Sequence, residues 1–196
     1  GYYVLLPNLF YRVGKEGSYP FTFAKIRDDK SHFSAMIKTM DDTTNELVVS
    51  DTKYILDYLD NNEELHHNGY GAIGYCMSGQ YIVSVTSTYP KKFAAAASFY
   101  GVKILTDKHN SPHLQANKIE ADLYLAFAEK DTWVDNDALK NIKNHFEKYT
   151  PNFRMEVYEG TEHGFAFPDR HTYNKNGAEK HWSRICNLFE RSLKNK

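Results

Sequence analysis

Cysteine is scarce in this chain of 196 residues, which contains only Cys76 and Cys186. One pair cannot supply the disulfide framework of a domain this size, so a stapled secreted scaffold is excluded. Net charge is also nearly absent, because 24 Lys+Arg against 25 Asp+Glu leave -1. Nucleic-acid binders carry a basic face or stripe, so no nucleic-acid partner is expected. The longest apolar runs, Tyr2–Pro7 and Phe93–Ala97, fall far short of the roughly 20 residues that span a bilayer, and no membrane partner is expected. No Asn-x-Ser/Thr acceptor and no cationic, apolar opening segment is seen. The expectation is a reduced, cytoplasmic protein.

What is present is a chain with 41% hydrophobic and 25% charged residues, enough to bury a core without staples. The length fits one domain over residues 1–196. Short apolar runs at 2–6, 71–75, 93–100, 123–128 and 153–158 read as strands. Helical periodicity covers 44–60, 77–88, 136–149 and 177–193, with Thr43 or Thr44 as the first cap. Residues 8–40 read as a long loop with one short helix, and 103–120 as a surface excursion. Strands alternating with helices predict an α/β fold, a mostly parallel sheet flanked by helices. On the last helix, Trp182, Ile185, Phe189 and Leu193 form a core stripe that would bury Cys186.

The informative segment is Gly71-Ala-Ile-Gly-Tyr-Cys-Met-Ser-Gly79, which places Cys76 at a strand-to-helix turn. Gly74 two residues before and Ser78 two after are small, as a nucleophile elbow requires. Such a turn exposes the thiol at the carboxyl edge of the sheet, where open α/β sheets bind ligands. The Met77 N–H becomes an oxyanion donor, and a helix N-terminus favours the thiolate. An acid and a base follow in the chain order these folds use: Asp131 after the strand at 123–128, and His163 after the strand at 153–158. Tyr100, Trp133 and Phe165 are candidate pocket walls.

These residues resemble the dienelactone hydrolase family of α/β-hydrolases. Gly74-Tyr-Cys-Met-Ser-Gly79 is similar to its cysteine elbow, Asp131-Thr-Trp-Val134 to its acid loop and His163-Gly-Phe165 to its histidine loop. Gly1-Tyr-Tyr-Val-Leu-Leu-Pro-Asn-Leu-Phe-Tyr-Arg12 resembles a further family stretch, with Asn8 in place of an Asp. The resemblance implies a carboxylic ester or lactone hydrolase with a Cys76–His163–Asp131 triad and an acyl-enzyme. Arg12 would bind a substrate carboxylate, no cofactor would be needed, and the protein would be a monomer or homodimer.

Family members carry further strands, a second oxyanion donor and a glutamate ahead of the Gly1 stretch. With Gly rather than Met at residue 1, the expectation is an α/β-hydrolase domain that is N-terminally incomplete. Two other readings stand beside the lactonase: a broad esterase or thioesterase, and a non-catalytic binding domain. A metal site is not expected, since no Cys-x-x-Cys pair occurs. The histidines at 32, 66, 67, 109, 113, 145, 171 and 181 read as ordinary polar positions.

Overall fold

The computed structural model describes residues 1–15, 17–65 and 69–194, so His66 and His67 lie outside the described residues. The chain divides into two compact units, Gly1–Leu65 and His66–Lys196.

The first unit holds two helices, α1 (Lys30–Asp42) and α2 (Asn45–Asp60). Both start where the sequence supplies a cap. The Asp29 carboxylate accepts from the Ser31 and His32 N–H groups, and the Thr44 hydroxyl accepts from Leu47 N–H. Each cap satisfies donors that the first helical turn leaves open. Phe21, Met36, Met40, Val48 and Leu56 are buried in this unit.

The expected strand over 2–6 does not form: these residues are irregular, and Val4 and Leu6 are 81% and 93% exposed. An apolar run becomes a strand only where a neighbour completes its hydrogen-bond ladder. Among the described residues no such neighbour pairs with it.

The second unit is a parallel sheet in the order β1-β2-β3-β4, where β1 is Tyr70–Tyr75, β2 Phe93–Phe99, β3 Asp122–Lys130 and β4 Phe153–Glu162. Helix α3 (Ser78–Thr88) links β1 to β2, α4 (Asn136–Tyr149) links β3 to β4, and α5 (Lys175–Phe189) follows β4. Covered on both faces, the central strands read as nearly continuous apolar runs. Ala95, Ala96, Ala97, Leu123, Leu125, Ala126, Phe127 and Ala128 are fully buried.

Residues 103–120 are less superficial than expected. A 3₁₀ turn at Pro112–Lys118 buries Pro112 and Ala116, and Ile104 and Ile119 are buried too. Thr150 Oγ1 donates to the Ala116 carbonyl, which ties this segment to the end of α4.

Helix α5 turns a different face inward from the one expected. Ala178, His181, Ile185 and Leu188 are buried, while Trp182 is 52% exposed and Cys186 is exposed. The buried stripe is rotated by one residue, and the polar His181 lies on it. Lys180 and Arg184, on the adjoining face, both reach Glu156 of β4 at 2.6 Å. Burial opposes ionisation of that carboxyl, but the two cations outweigh it and bring its pKa down to about 2.

Candidate active site

The four strands run in parallel, so their carboxyl ends share one edge of the sheet. The residue immediately after each strand is, in order, Cys76, Tyr100, Asp131 and His163. Three of these are the predicted nucleophile, acid and base. The fourth is an aromatic that the sequence suggested only as a pocket wall.

Cys76 adopts φ +52, in the left-handed region that a side chain other than glycine seldom occupies. Three backbone hydrogen bonds hold this conformation. Cys76 N–H donates to the Phe99 carbonyl at 3.1 Å, and the Cys76 carbonyl accepts from Val102 N–H and Gly79 N–H, each at 3.0 Å. The small neighbours are sterically required. A Cβ at Gly74 would lie 2.5 Å from Ile82 Cγ1 and 2.7 Å from the Ser78 carbonyl. A Cβ at Gly79 would collide with the Gly101 backbone. Strand β1, helix α3 and the turn after β2 therefore close on the elbow only with glycine at these positions. Met77 caps α3, and its N–H has no hydrogen-bond partner among the described residues.

Asp131 and His163 lie within hydrogen-bond distance of each other. His163 Nδ1 bonds Asp131 Oδ2 at 2.8 Å, and the Trp133 N–H donates to Asp131 Oδ1 at 2.9 Å. The Asp131 side chain is 1% exposed and that of His163 17%. Burial alone would push the imidazole pKa down. The hydrogen bond to Asp131 and the nearby Cys76 thiol outweigh burial and raise it to about 9. With Nδ1 committed to the carboxylate, Nε2 is the free end of the ring, and it is buried with no hydrogen-bond partner. That is the atom a proton carrier presents to a nucleophile and a leaving group.

A buried pair beneath the elbow escaped the sequence reading. His181 Nδ1 donates to the Ala178 carbonyl at 3.1 Å, so its Nε2 accepts from the Tyr75 hydroxyl at 2.6 Å. Burial pushes the His181 pKa down, which keeps the ring neutral in the tautomer these bonds require. Tyr75 directly precedes the nucleophile, and its ring packs on Phe99, Tyr100 and Phe167. The signal was available: His181 stands four residues before Ile185, on the same helical stripe.

The remaining predicted residues separate. Phe165 is fully buried between Tyr100 and Tyr158, so it belongs to the core rather than to an open pocket wall. Trp133 is half-exposed, with its ring centroid 6.1 Å from that of His163. Arg12 belongs to the first unit, where its guanidinium grips Asp51 with two bonds of 2.7 Å and lies over the Tyr11 ring. Among the described residues no cluster of three or more His, Cys, Asp or Glu could hold a metal. Among the described residues no helix is long and apolar enough to cross a membrane.

The model of the dienelactone hydrolase family matches residues 1–193. The chain belongs to this family. A Synechocystis protein named "Putative carboxymethylenebutenolidase" is 29% identical over 160 residues, covering 80% of this chain and 64% of that protein. A Bradyrhizobium protein named "Probable 2-oxo-3-(5-oxofuran-2-ylidene)propanoate lactonase" is 23% identical over 151 residues, or 75% of this chain and 59% of that one. The chain thus spans less than two thirds of these two relatives. A solved Klebsiella pneumoniae structure, described as a putative dienelactone hydrolase, superposes with a TM-score of 0.73 at 19% identity, covering 92% of this chain and 72% of that one. The likeness establishes an α/β-hydrolase fold.

Proposed function

We propose that this dienelactone hydrolase family member cleaves a small carboxylic ester or lactone through a Cys76–His163–Asp131 triad. The observation that carries the reading is the His163–Asp131 bond of 2.8 Å together with a buried, unpartnered His163 Nε2. Both groups stand one residue past their strands, on the edge that also bears the strained Cys76 turn.

In the first half-reaction the proton shared between Cys76 Sγ and His163 Nε2 rests on the imidazole, as its raised proton affinity favours, and Cys76 Sγ attacks the carbonyl carbon. The carbonyl π electrons move onto oxygen, where the unoccupied Met77 N–H faces the developing charge. The intermediate collapses, the C–O bond to the leaving group breaks, and His163 returns the proton to that oxygen. In the second half-reaction His163 deprotonates water, which attacks the thioester and releases the acid. Cys76 Sγ leaves with the thioester's bonding pair, and the proton taken from water remains with the Cys76–His163 pair, restoring the starting state. Asp131 stays ionised throughout, fixing the imidazole tautomer and stabilising the imidazolium.

A second reading, a broad esterase or thioesterase, is favoured by one observation. The Arg12 guanidinium, the group that would bind a lactone carboxylate, is already held by Asp51. A substrate anion would have to displace that carboxylate, whereas a neutral ester needs no such exchange.

Hydrolysis of an activated aryl ester and of a dienelactone by the full protein tests both readings. Cys76→Ala is expected to remove both activities, by roughly 10⁴-fold or more. A retained rate in the Ala variant would overturn the thiol mechanism. Arg12→Ala then separates the substrates: selective loss of lactone turnover supports the lactonase, and unchanged ratios support the broad esterase.

A further inference from the structure

Tyr100 is the one residue of the four at the strand-end edge to which the triad gives no task. Its side chain is 2% exposed, and its hydroxyl is buried without a hydrogen-bond partner among the described residues. Native cores rarely leave such a group unmatched, because an unpaired buried hydroxyl loses its hydration with nothing in return. Where one persists beside a reactive centre, a ligand is the natural partner.

The placement of Tyr100 relative to the nucleophile is built in. The turn that carries it is bonded to Cys76 on both sides: Phe99 accepts from the Cys76 N–H, and Val102 donates to the Cys76 carbonyl. Tyr100 itself adopts φ +41, an unfavourable conformation for a bulky aromatic, held by its N–H donating to Ala126 at 2.7 Å. Its ring is wedged against His163, Phe165 and Tyr75, with centroids 5.0, 5.2 and 5.9 Å away. A rigid, strained aromatic next to both the nucleophile residue and the base is a feature associated with function rather than with folding economy. The hydroxyl is also close enough to feel the charges of Cys76 and Arg170. Burial, the dominant effect, holds it protonated far above the usual phenol range, so it can act as a donor but not as a base.

We propose that Tyr100 is a further catalytic residue, whose O–H donates a hydrogen bond to an oxygen of the ester bound at Cys76. It would supply from a side chain part of the polar stabilisation that the Met77 N–H supplies from the backbone. The inference rests on the acyl-transfer reading above, so its test separates the two.

The full protein and its Tyr100→Phe variant are compared in three measurements. The first is the acylation burst with p-nitrophenyl acetate, which reports attack on a carbonyl. The second is the rate of Cys76 modification by methyl methanethiosulfonate, a thiol reagent with no carbonyl to polarise. The third is thermal melting. The expected result is a burst slowed by about tenfold or more, with thiol modification unchanged within about twofold. Melting should be unchanged or slightly raised, because the deleted hydroxyl has no partner to lose. Equal acylation rates would overturn the role of Tyr100 while leaving the triad intact. A parallel slowing of both reagents, or a lowered melting temperature, would also overturn it, by showing that the phenol acts on the thiol or on the fold. A wild-type protein that modifies with the thiol reagent but never acylates would sink the acyl-transfer reading and this inference with it.

Discussion

The Gly1–Leu65 unit and the sheet-bearing unit differ in where their apolar side chains end up. In the first, Tyr2, Tyr3, Val4, Leu6, Tyr11, Phe23, Tyr54 and Tyr58 are exposed, and each helix buries only two or three residues. In the second, three of the four strands and the inner faces of α3, α4 and α5 contribute residues to the buried core. The helices of the first unit are set by local signals, an Asp29 cap and a Thr44 cap. The sheet unit depends on non-local closure: glycines that let backbones touch, and ion pairs such as Glu156 with Arg184. Where caps and periodicity suffice, structure is readable but shallow. Where backbones must meet, a single methylene matters.

The largest effect that would sharpen this contrast comes from pH. His163 has a folded pKa raised to about 9, above the ordinary 6.5. Its ion pair with Asp131 therefore stabilises the sheet unit fully below pH 6.5, and the contribution fades as pH climbs through about 9. Urea unfolding at pH 6.5 and 9.5 should differ by up to about 3 kcal/mol through His163, and Asp131→Asn, which removes the largest of the groups that raise its pKa, should shrink the difference. A pH slope left unchanged by Asp131→Asn would mean that another group carries it.

Next in size is Gly79→Ala. Its Cβ would collide with the Gly101 backbone, and overpacking of this kind costs about 1–3 kcal/mol. The partner measurement is Thr44→Ala, which removes the α2 cap of the first unit and should cost about 1 kcal/mol. Denaturant midpoints of the two variants give the comparison directly. If Thr44→Ala proved the more damaging, the first unit would be the less forgiving of the two.

The smallest effect is expected at Leu6, 93% exposed in the irregular opening segment. Leu6→Ser should shift stability by under about 0.5 kcal/mol. A loss of 2 kcal/mol or more by the same unfolding assay would show that this side chain is buried in solution.

Much of the sheet unit was legible because its signals are short in range and steric in origin. The apolar runs that became β1 to β4 were visible as runs, although β4 extends to Glu162 rather than stopping at Tyr158. Gly74, Ser78 and Gly79 marked the turn around Cys76. Asp131 and His163 stood out because each follows a strand in the order that α/β folds use, and the fold brings them within 2.8 Å of each other.

Four features needed the tertiary structure. The opening apolar run is no strand, since a strand exists only with a partner for its ladder. The inward face of α5 is His181–Ile185–Leu188, with Phe189 packed against its edge and Trp182 turned out, because helical spacing announces a stripe but overlapping stripes differ by a one-residue rotation. Cys186 is exposed for the same reason. Arg12 spends its guanidinium on Asp51, a pairing between residues far apart in sequence that no local pattern encodes. The sequence by itself determined the βα order, the small residues around the Cys76 turn and the chain order of Asp131 and His163. The fold decided which polar groups are buried together, and so brought Tyr100, Cys76, Asp131 and His163 to one edge: parallel strands end side by side whatever the distance between their residues in the chain.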